Sequence, residues 1–457
     1  MKLKVTGVRD PLRFVPPRLN RIVLQSIRCL TPLYLKAALG LRFGQTENLE
    51  RLIGEYQDFF SGTSKLVLVF RHVHVNDAQA IFYLLNTILP KSARREKIHF
   101  PIHPHAHFLY GRGVPVWGGK WLEWLFSHGG GIPVFHRKLD REALDVLRYH
   151  LLNGAYPIAL APEGQVTYHN GVVHPIEPGF AQIALWAHTD LRTHGFNHDV
   201  RVLPISQHYQ YGRDGEKVLL DLLDRLRIET GILIKHDNHS TYTPVSILYK
   251  TGAALLKRIE DFYRVYYGIN EFSKDNLAGS DEKECSRRRV ERLVDTVLKM
   301  QEHRLGIHHP PRGFTPRIFV VRQAGWDRVF RERTGADGDM PLLEASLNEY
   351  LAVEAGLFAR HLELVDLLAY LQPEYALESG DVNRHIEFAL NLLDTVNRLK
   401  GGTIGQRYNV RPSEVTISIG TPLSLNDMNA DSPGISPRQL RKLLVDEVSQ
   451  QFTRMSY

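Results

Sequence analysis

Between residues 65 and 212 the sequence alternates short apolar runs with longer stretches of helical periodicity. Leu66–Phe70 is a continuous apolar run, which is typical of a parallel strand covered on both faces. Three further short runs follow, separated by helix-like segments: Ile132–Phe135, Pro157–Ala161 and Val200–Ile205. Strands that alternate with helices predict an α/β fold, with a mixed, largely parallel sheet flanked by helices.

The chain divides into four segments by pattern. We predict that residues 1–60 form an N-terminal helical segment and that 61–212 form the α/β core. Residues 213–410 have mainly helical periodicity, whereas 411–457 contain an alternating strand pattern followed by a closing helix. We therefore predict that 213–410 is a large, mainly helical insertion and that 411–457 completes the core.

Composition restricts the class of protein and the kind of partner. Charged residues make up 23% of the 457 residues, which is typical of a globular protein. Two cysteines cannot build a disulfide framework, which favours a reducing compartment. The first ten residues have no apolar signal core, and no uncharged apolar run is long enough to span a bilayer. We therefore expect a soluble or peripheral protein.

The formal net charge of +7 favours anionic partners such as a membrane surface or an acidic carrier protein. The basic residues are spread along the chain and no base-stacking pattern accompanies them, so we expect no nucleic-acid partner. Leu19–Phe43 mixes aliphatic residues with arginine and lysine, and Pro32 interrupts it. This stretch is either a helix pair packed on the protein body or a basic amphipathic segment that touches lipid.

Four short blocks lie in order at the ends of the predicted strands or just beyond them. The blocks are His72-x4-Asp77, Gly131 to Arg137, Ala161 to Gly164, and Val202 to Ile205. Open α/β sheets place their ligands at such strand ends. A carboxylate at position 77 can contact an imidazole at position 72 across a strand-to-helix turn. A histidine held in this way can take a proton from an alcohol near neutral pH.

Together the blocks resemble the four motifs of the glycerolipid acyltransferase family, which includes lysophosphatidate and glycerol-phosphate acyltransferases. The resemblance covers residues 65–212 and 411–457. It implies that His72 is the general base that activates an acceptor hydroxyl for attack on an acyl thioester. Asp77 would hold the imidazole and stabilise its cationic form.

The same resemblance implies the partners of the reaction and the residues that bind them. Acyl-CoA or acyl-carrier protein would be the co-substrate, with no further cofactor, and a lipid acceptor would be met at the cytoplasmic face of a membrane. Arg137 would bind an anionic head group, because an arginine fork suits phosphate, and Phe135 belongs to the same block. Glu163 and Gly164 would shape the acceptor pocket, since glycine lets the backbone approach a ligand.

One departure from the family pattern concerns the phosphate. The family's Thr-Arg pair after Glu-Gly is replaced by Gln165 and Val166 in this chain, which removes a cation. Either the acceptor lacks a terminal phosphate, or Arg71, Arg112 or Arg213 supplies the missing charge.

Two other functions remain open from the sequence. His72, His74 and Asp77 could form the metal site of a hydrolase, although such enzymes usually have an Asp-His pair where this chain has Asn76 and Asp77. A non-catalytic lipid-binding protein would share the same basic and apolar features.

A further histidine pattern invites a metal interpretation. His103, His105 and His107 alternate, but no partner set stands near them in the sequence. We therefore predict that they line a structural face, and the acyltransferase interpretation includes no metal.

Overall fold

The computed structural model describes residues 7–135, 140–233, 243–270, 272, 282–331, 340–377, 380–411, 413–431 and 434–456. These residues form two compact units. The first, which we call the sheet unit, contains residues 14–135, 140–212 and the described part of 411–456. The second, the helical unit, consists mainly of the described part of residues 213–410, together with residues 7–13.

The sheet unit is built on one mixed sheet, with eight strands in the described residues. The strands are β1 (Leu41–Glu47), β2 (Ser64–Phe70), β3 (His107–Gly111), β4 (Ile132–Val134), β5 (Ile158–Leu160), β6 (Asp199–Tyr211), β7 (Ser413–Ile419) and β8 (Leu423–Ser424). Their order is β1-β7-β6-β2-β5-β3-β4, and β8 also pairs with β6. Strands β7 and β8 run antiparallel to β6, and the other pairs are parallel. The predicted α/β class with a mixed, largely parallel sheet is confirmed.

The helical unit contains helices α8 to α14, and the sheet unit contains the helices before and after them in the chain. The helices are α1 (Arg21–Leu33), α2 (Leu49–Ser61), α3 (Asp77–Tyr83), α4 (Leu89–Arg95), α5 (Val114–His128), α6 (Arg141–Asn153), α7 (Gly179–Thr193), α8 (Gly215–Thr230), α9 (Pro244–Tyr267), α10 (Glu282–Leu305), α11 (Phe314–Val329), α12 (Leu342–Leu368), α13 (Pro373–Leu377), α14 (Val382–Leu399), α15 (Leu425–Asp431) and α16 (Pro437–Arg454). Among the described residues, we find no helix with the length and apolar character that crossing a bilayer requires.

Strand β2 is covered on both faces, as its continuous apolar sequence predicts. Val67 and Val69 belong to a buried core cluster to which α6, α7 and α16 contribute. Leu66 and Leu68 alternate with them and are also buried, on the side where α2 packs against β2. A strand buried on both faces needs apolar residues at every position, which explains the uninterrupted run.

Two of the expected element bounds need correction. The prediction of a helical segment over 1–60 is wrong at Leu41–Glu47, which forms β1 and pairs in parallel with β7. The register of that pair shifts between Phe43 and Thr46, so the period-two pattern of β1 is broken and could not be distinguished from helical periodicity. Strand β6 runs to Tyr211, well beyond the expected end at Ile205.

The terminal segment contributes to the same sheet. Strand β7 lies between β1 and β6, and its residues Ser413–Ile419 pair with the second half of β6. Helix α16 packs against α7 and β6, and its buried face includes Leu444 and Phe452. Residues at the end of the chain therefore support the strands from which the candidate site is built.

Candidate active site

The candidate site lies at the carboxyl end of β2 in the sheet unit. His72 comes two residues after β2 ends, and Asp77 is the first residue of α3. The neighbours β5 and β6 run parallel to β2, so residues that follow β5 reach the same edge of the sheet. This edge is where open α/β sheets bind ligands.

The structure brings His72 and Asp77 into direct contact. His72 Nδ1 lies 3.0 Å from Asp77 Oδ2. The His72 side chain is 25% exposed, whereas that of Asp77 is fully buried. One partner is therefore partly open to solvent, and the other is held inside the protein.

Asp77 is held by three contacts that orient its carboxylate. Oδ2 also accepts a hydrogen bond of 2.7 Å from the backbone N–H of His74. Oδ1 accepts one of 2.7 Å from the hydroxyl of Tyr209. Because an ionised carboxylate only accepts hydrogen bonds, its contact with His72 assigns a proton to Nδ1 of that ring. Nε2 is then the basic nitrogen of the ring.

Tyr209 is a member of the site that the sequence did not indicate. Its side chain is fully buried and stands on the part of β6 that continues past the end of β2. Burial, and then the neighbouring Asp77 carboxylate, raise the pKa of the Tyr209 hydroxyl, so it stays protonated and donates. The available signal was the alternation of Gln207, Tyr209 and Tyr211, which continues the period of the predicted strand.

The backbone of His72 is fixed from both sides by the segment after β5. The Glu163 carboxylate accepts a hydrogen bond from the His72 N–H. The backbone N–H of Thr167 donates to the His72 carbonyl oxygen over 2.7 Å. Glu163 is 1% exposed, so in this structure it contacts the protein around His72 rather than an open pocket. Burial raises the pKa of the Glu163 carboxyl, and the Arg71 guanidinium acts in the opposite direction.

Gly164 lies in the turn that positions Glu163. Its φ of +77° is in the left-handed region, which glycine adopts without strain. Its N–H donates to the Ala161 carbonyl oxygen over 3.2 Å, closing the turn. The glycine of this block therefore has a local conformational reason to be there, whatever it does for a ligand.

Arg71, one of the three candidate phosphate-binding cations, is completely buried. Its guanidinium donates to the backbone carbonyls of His169, Asn170 and Val172 and to the Ser456 hydroxyl. Its Nε lies 3.7 Å from the Glu163 carboxylate. Arg71 thus joins the segment after β5 to the end of the chain, and its side chain does not face solvent.

The other two candidate cations have different surroundings. Arg112 is paired with Asp140 and lies over the Phe135 ring, 4.5 Å from its centroid. Phe135 is half-buried after β4, and its N–H donates to Asp140 over 3.1 Å. Arg213 is exposed in the helical unit. Arg137 lies outside the described residues, so its predicted role stays a prediction.

The alternating histidines are held by backbone carbonyls. Ring nitrogens of His103, His105 and His107 each lie 2.7 to 2.9 Å from a backbone carbonyl oxygen of another residue. Burial lowers the pKa of His105 to about 3, so its ring stays neutral. These contacts support the structural role expected from the sequence.

His74, which the hydrolase interpretation needs as a metal ligand, also has contacts within the protein. Its Nδ1 accepts a hydrogen bond of 3.2 Å from the Asn76 N–H, and its ring lies against Tyr209 at 4.6 Å between centroids. In the part of the chain that the structure describes, no group of three His, Cys, Asp or Glu side chains is arranged to hold a metal ion.

Comparison with known proteins found neither a family model nor a curated protein that matches this chain.

Proposed function

We propose that the protein is an acyltransferase with a glycerolipid acyltransferase-like core. It moves a fatty acyl group from acyl-CoA or acyl-carrier protein to a hydroxyl of a glycerolipid-like acceptor. The observation that carries the proposal is the 3.0 Å contact between His72, whose side chain is partly exposed, and Asp77, which is fully buried. This is the arrangement that a general base needs, because the ring must reach the substrate while its other nitrogen is oriented from behind.

His72 carries out the two proton transfers of the reaction, and Asp77 stabilises the charged ring. Nε2 of His72 takes the hydroxyl proton while the acceptor oxygen attacks the thioester carbonyl carbon. A carbon–oxygen bond forms, and the carbon–sulfur bond breaks as the tetrahedral intermediate collapses. The imidazolium returns its proton to the departing thiolate. Asp77 stabilises the imidazolium between these two transfers, and no covalent acyl-enzyme is required.

Glu163 and Arg71 support this chemistry by position. The Glu163 carboxylate accepts a hydrogen bond from the His72 N–H. Arg71 binds both Glu163 and the segment that contains it. Both act as positioning residues for His72 in this proposal. The acceptor pocket is then formed by other groups, among which we propose Phe135 and Arg137.

The proposed reaction is tested with a mixed panel of lipid acceptors and isotope-labelled acyl thioesters, with products identified by mass spectrometry. We expect a labelled ester on at least one glycerolipid-like hydroxyl, and its rate of formation should be at least about 10²-fold lower with the His72→Ala variant. Absence of any ester product with both CoA and carrier-protein donors would reject the proposal. The panel also identifies the donor and shows whether the acceptor carries a phosphate.

Replacing Arg137 with alanine is expected to raise the KM for a phosphorylated acceptor by about tenfold or more, because a charge-assisted hydrogen bond is lost. The KM for a neutral acceptor should change little. Steady-state kinetics with matched phosphorylated and neutral acceptors measures both values in one variant. An equal change for the two acceptors would contradict phosphate binding by Arg137.

Replacing Tyr209 with phenylalanine is expected to lower kcat/KM near neutral pH by about tenfold, because Asp77 Oδ1 loses the buried donor that orients its carboxylate against His72. The carboxylate then becomes more basic and stabilises the His72 imidazolium more strongly. The acid limb of the pH profile of kcat/KM should therefore move to higher pH.

Tyr149, an exposed tyrosine of α6, provides the matched control for this hydroxyl deletion. Tyr149→Phe should leave both the rate and the pH profile unchanged. A Tyr209→Phe variant whose acid limb stays in place would show that Tyr209 only fills space beside Asp77.

A further inference from the structure

A cleft of about 340 Å³ lies in the sheet unit between helices α7, α15 and α16. Clefts in which proteins bind small molecules start at about 300 Å³, so this one has room for a small ligand. The proposed reaction uses none of the residues that line it. We call it the α7–α16 cleft.

The α7–α16 cleft and the candidate active site lie at opposite ends of the sheet. Asp199, the first residue of β6, pairs with Ser64 at the start of β2. The backbone N–H of Asn426, which lines the cleft, donates to Asp199 Oδ1 over 3.2 Å. The candidate active site follows the other end of β2, and a strand of that length spans about 20 Å. The two are therefore separate sites.

One side of the cleft is apolar and belongs to the core of the sheet unit. Leu185 of α7 and Leu440 of α16 are buried members of the core cluster, and both line the cleft. Ile435 is partly buried and packs against the same cluster. A ligand that covers these side chains would remove apolar surface from water, which favours binding of a molecule with an apolar part.

The other side of the cleft is polar, and its formal charge is positive. Among the described residues that line the cleft there is no Asp or Glu, and Arg192 of α7 supplies a cation. The remaining polar side chains are uncharged amides, a hydroxyl and an imidazole: Asn426, Asn429, Thr189 and His188. This lining favours a ligand with a negative charge.

The guanidinium of Arg192 is oriented by its neighbours without being neutralised by them. Its Nη2 donates to Asn426 Oδ1 over 2.8 Å, and its Nη1 donates to Asn197 Oδ1. Both partners are neutral amides, and in the described parts of the chain Arg192 forms no ion pair with a carboxylate. Because a guanidinium has five N–H donors, others remain for a ligand.

We propose that the α7–α16 cleft binds a small amphiphilic anion, which is a carboxylate or a phosphate monoester with a short apolar chain. The anionic head binds Arg192, because the planar guanidinium fork suits both head groups. The chain lies on Leu185 and Leu440. This binding site is additional to the candidate active site, and the proposal does not depend on the proposed acyl transfer.

The test is isothermal titration calorimetry of the full-length protein with octanoate, octyl phosphate, inorganic phosphate and 1-octanol. We expect octanoate or octyl phosphate to bind, and the tighter of the two identifies the preferred head group. Inorganic phosphate and 1-octanol should each bind at least about tenfold more weakly, because each lacks one half of the ligand.

Two variants locate the binding in the cleft. Arg192→Ala should weaken binding of the amphiphile by about tenfold or more, because its charge-assisted hydrogen bond is lost. Thr189→Trp should weaken it by a similar factor, because the larger side chain fills the cleft from an exposed position of α7. Arg95→Ala is the matched control, at an exposed arginine of α4 outside the cleft, and should bind like the wild type.

Several results would overturn the proposal. The wild type could bind neither amphiphile, or Arg192→Ala could bind as tightly as the wild type, which would place the ligand elsewhere. Equal losses in Arg192→Ala and Arg95→Ala would show a general effect of net charge. Inorganic phosphate that bound as tightly as octyl phosphate would remove the apolar part of the ligand.

The same titration separates this site from the candidate active site. His72→Ala should bind the amphiphile like the wild type, because residue 72 follows the opposite end of β2. Loss of binding in His72→Ala would assign the amphiphile to the candidate active site and overturn the proposal. Wild-type binding without any acyl transfer activity would keep the cleft and reject only the proposed function.

Discussion

Replacing His72 with alanine is expected to lower kcat for acyl transfer by about 10² to 10⁴-fold, which is the usual contribution of a positioned general base. The acceptor hydroxyl would lose the only group in this proposal that removes its proton during attack. The KM values should change less, because the imidazole acts mainly in the transition state. Single-turnover kinetics with a labelled thioester measures the chemical step directly.

This substitution should lower stability only slightly, because the buried Asp77 carboxylate keeps its hydrogen bonds from His74 and Tyr209. The backbone contacts of His72 with Glu163 and Thr167 also remain. Urea unfolding followed by circular dichroism checks this. His194→Ala, at an exposed histidine of the same unit, is the matched control and should keep full activity. A folded His72→Ala protein with wild-type turnover would remove the general base from the mechanism.

The Asp77→Asn variant tests whether the Asp77 carboxylate sets the tautomer of the His72 ring. An asparagine can present its amide N–H to Nδ1 of His72, which favours the tautomer with the proton on Nε2 and removes the basic nitrogen from the substrate side. We therefore expect a fall in kcat of similar order with little change in KM. A variant that lost only substrate affinity would argue against this role.

Replacing Arg71 with methionine is expected to reduce the free energy of unfolding of the sheet unit by about 3–5 kcal/mol, or to prevent its folding. The substitution leaves the buried Glu163 carboxylate without its cation and removes the guanidinium donor from three backbone carbonyls. A buried ionic group that loses its partner is costly because neither water nor another charge compensates it. The midpoint of urea unfolding measures the loss.

The double variant Arg71→Met/Glu163→Gln tests whether the loss of stability comes from the unpaired Glu163 charge. It removes both charges together, and the glutamine oxygen can still accept the hydrogen bond from the His72 N–H. We expect it to recover part of the lost stability, as a double-mutant cycle would show. Arg141→Met, at an exposed arginine of α6, should be neutral. Normal stability of Arg71→Met combined with a raised acceptor KM would instead return Arg71 to phosphate binding.

Local sequence patterns predicted much of the sheet and one part of the site. A strand buried on both faces must be apolar at every position, so β2 could be recognised from Leu66–Phe70 alone. The His72–Asp77 contact needs only a turn of five residues between a strand end and a helix start, which is a local geometry. The positions of β5 and β6 followed from the same alternation of strands and helices.

Other features depended on residues far apart in the chain. Tyr209 and Asp77 are 132 positions apart in the chain. Tyr209 reaches Asp77 only because β6 pairs with β2 and then continues past its end. Edge strand β1 could not be recognised because its partner β7 lies near the other end of the sequence. From the sequence Arg71 is a candidate phosphate-binding cation, and only its contacts with residues 169–172 and Ser456 show that it is engaged inside the protein.

The sequence by itself determined the positions of the buried strands β2 and β5 and the start of β6, and which side chains stand near their carboxyl ends, because these properties follow from burial and from short-range turns. Only the tertiary structure decided which polar groups surround His72 and Asp77, and that Arg71 points into the protein. The reason is physical. Hydrogen bonds between distant segments depend on strand order and register, and one sequence pattern is compatible with many of these.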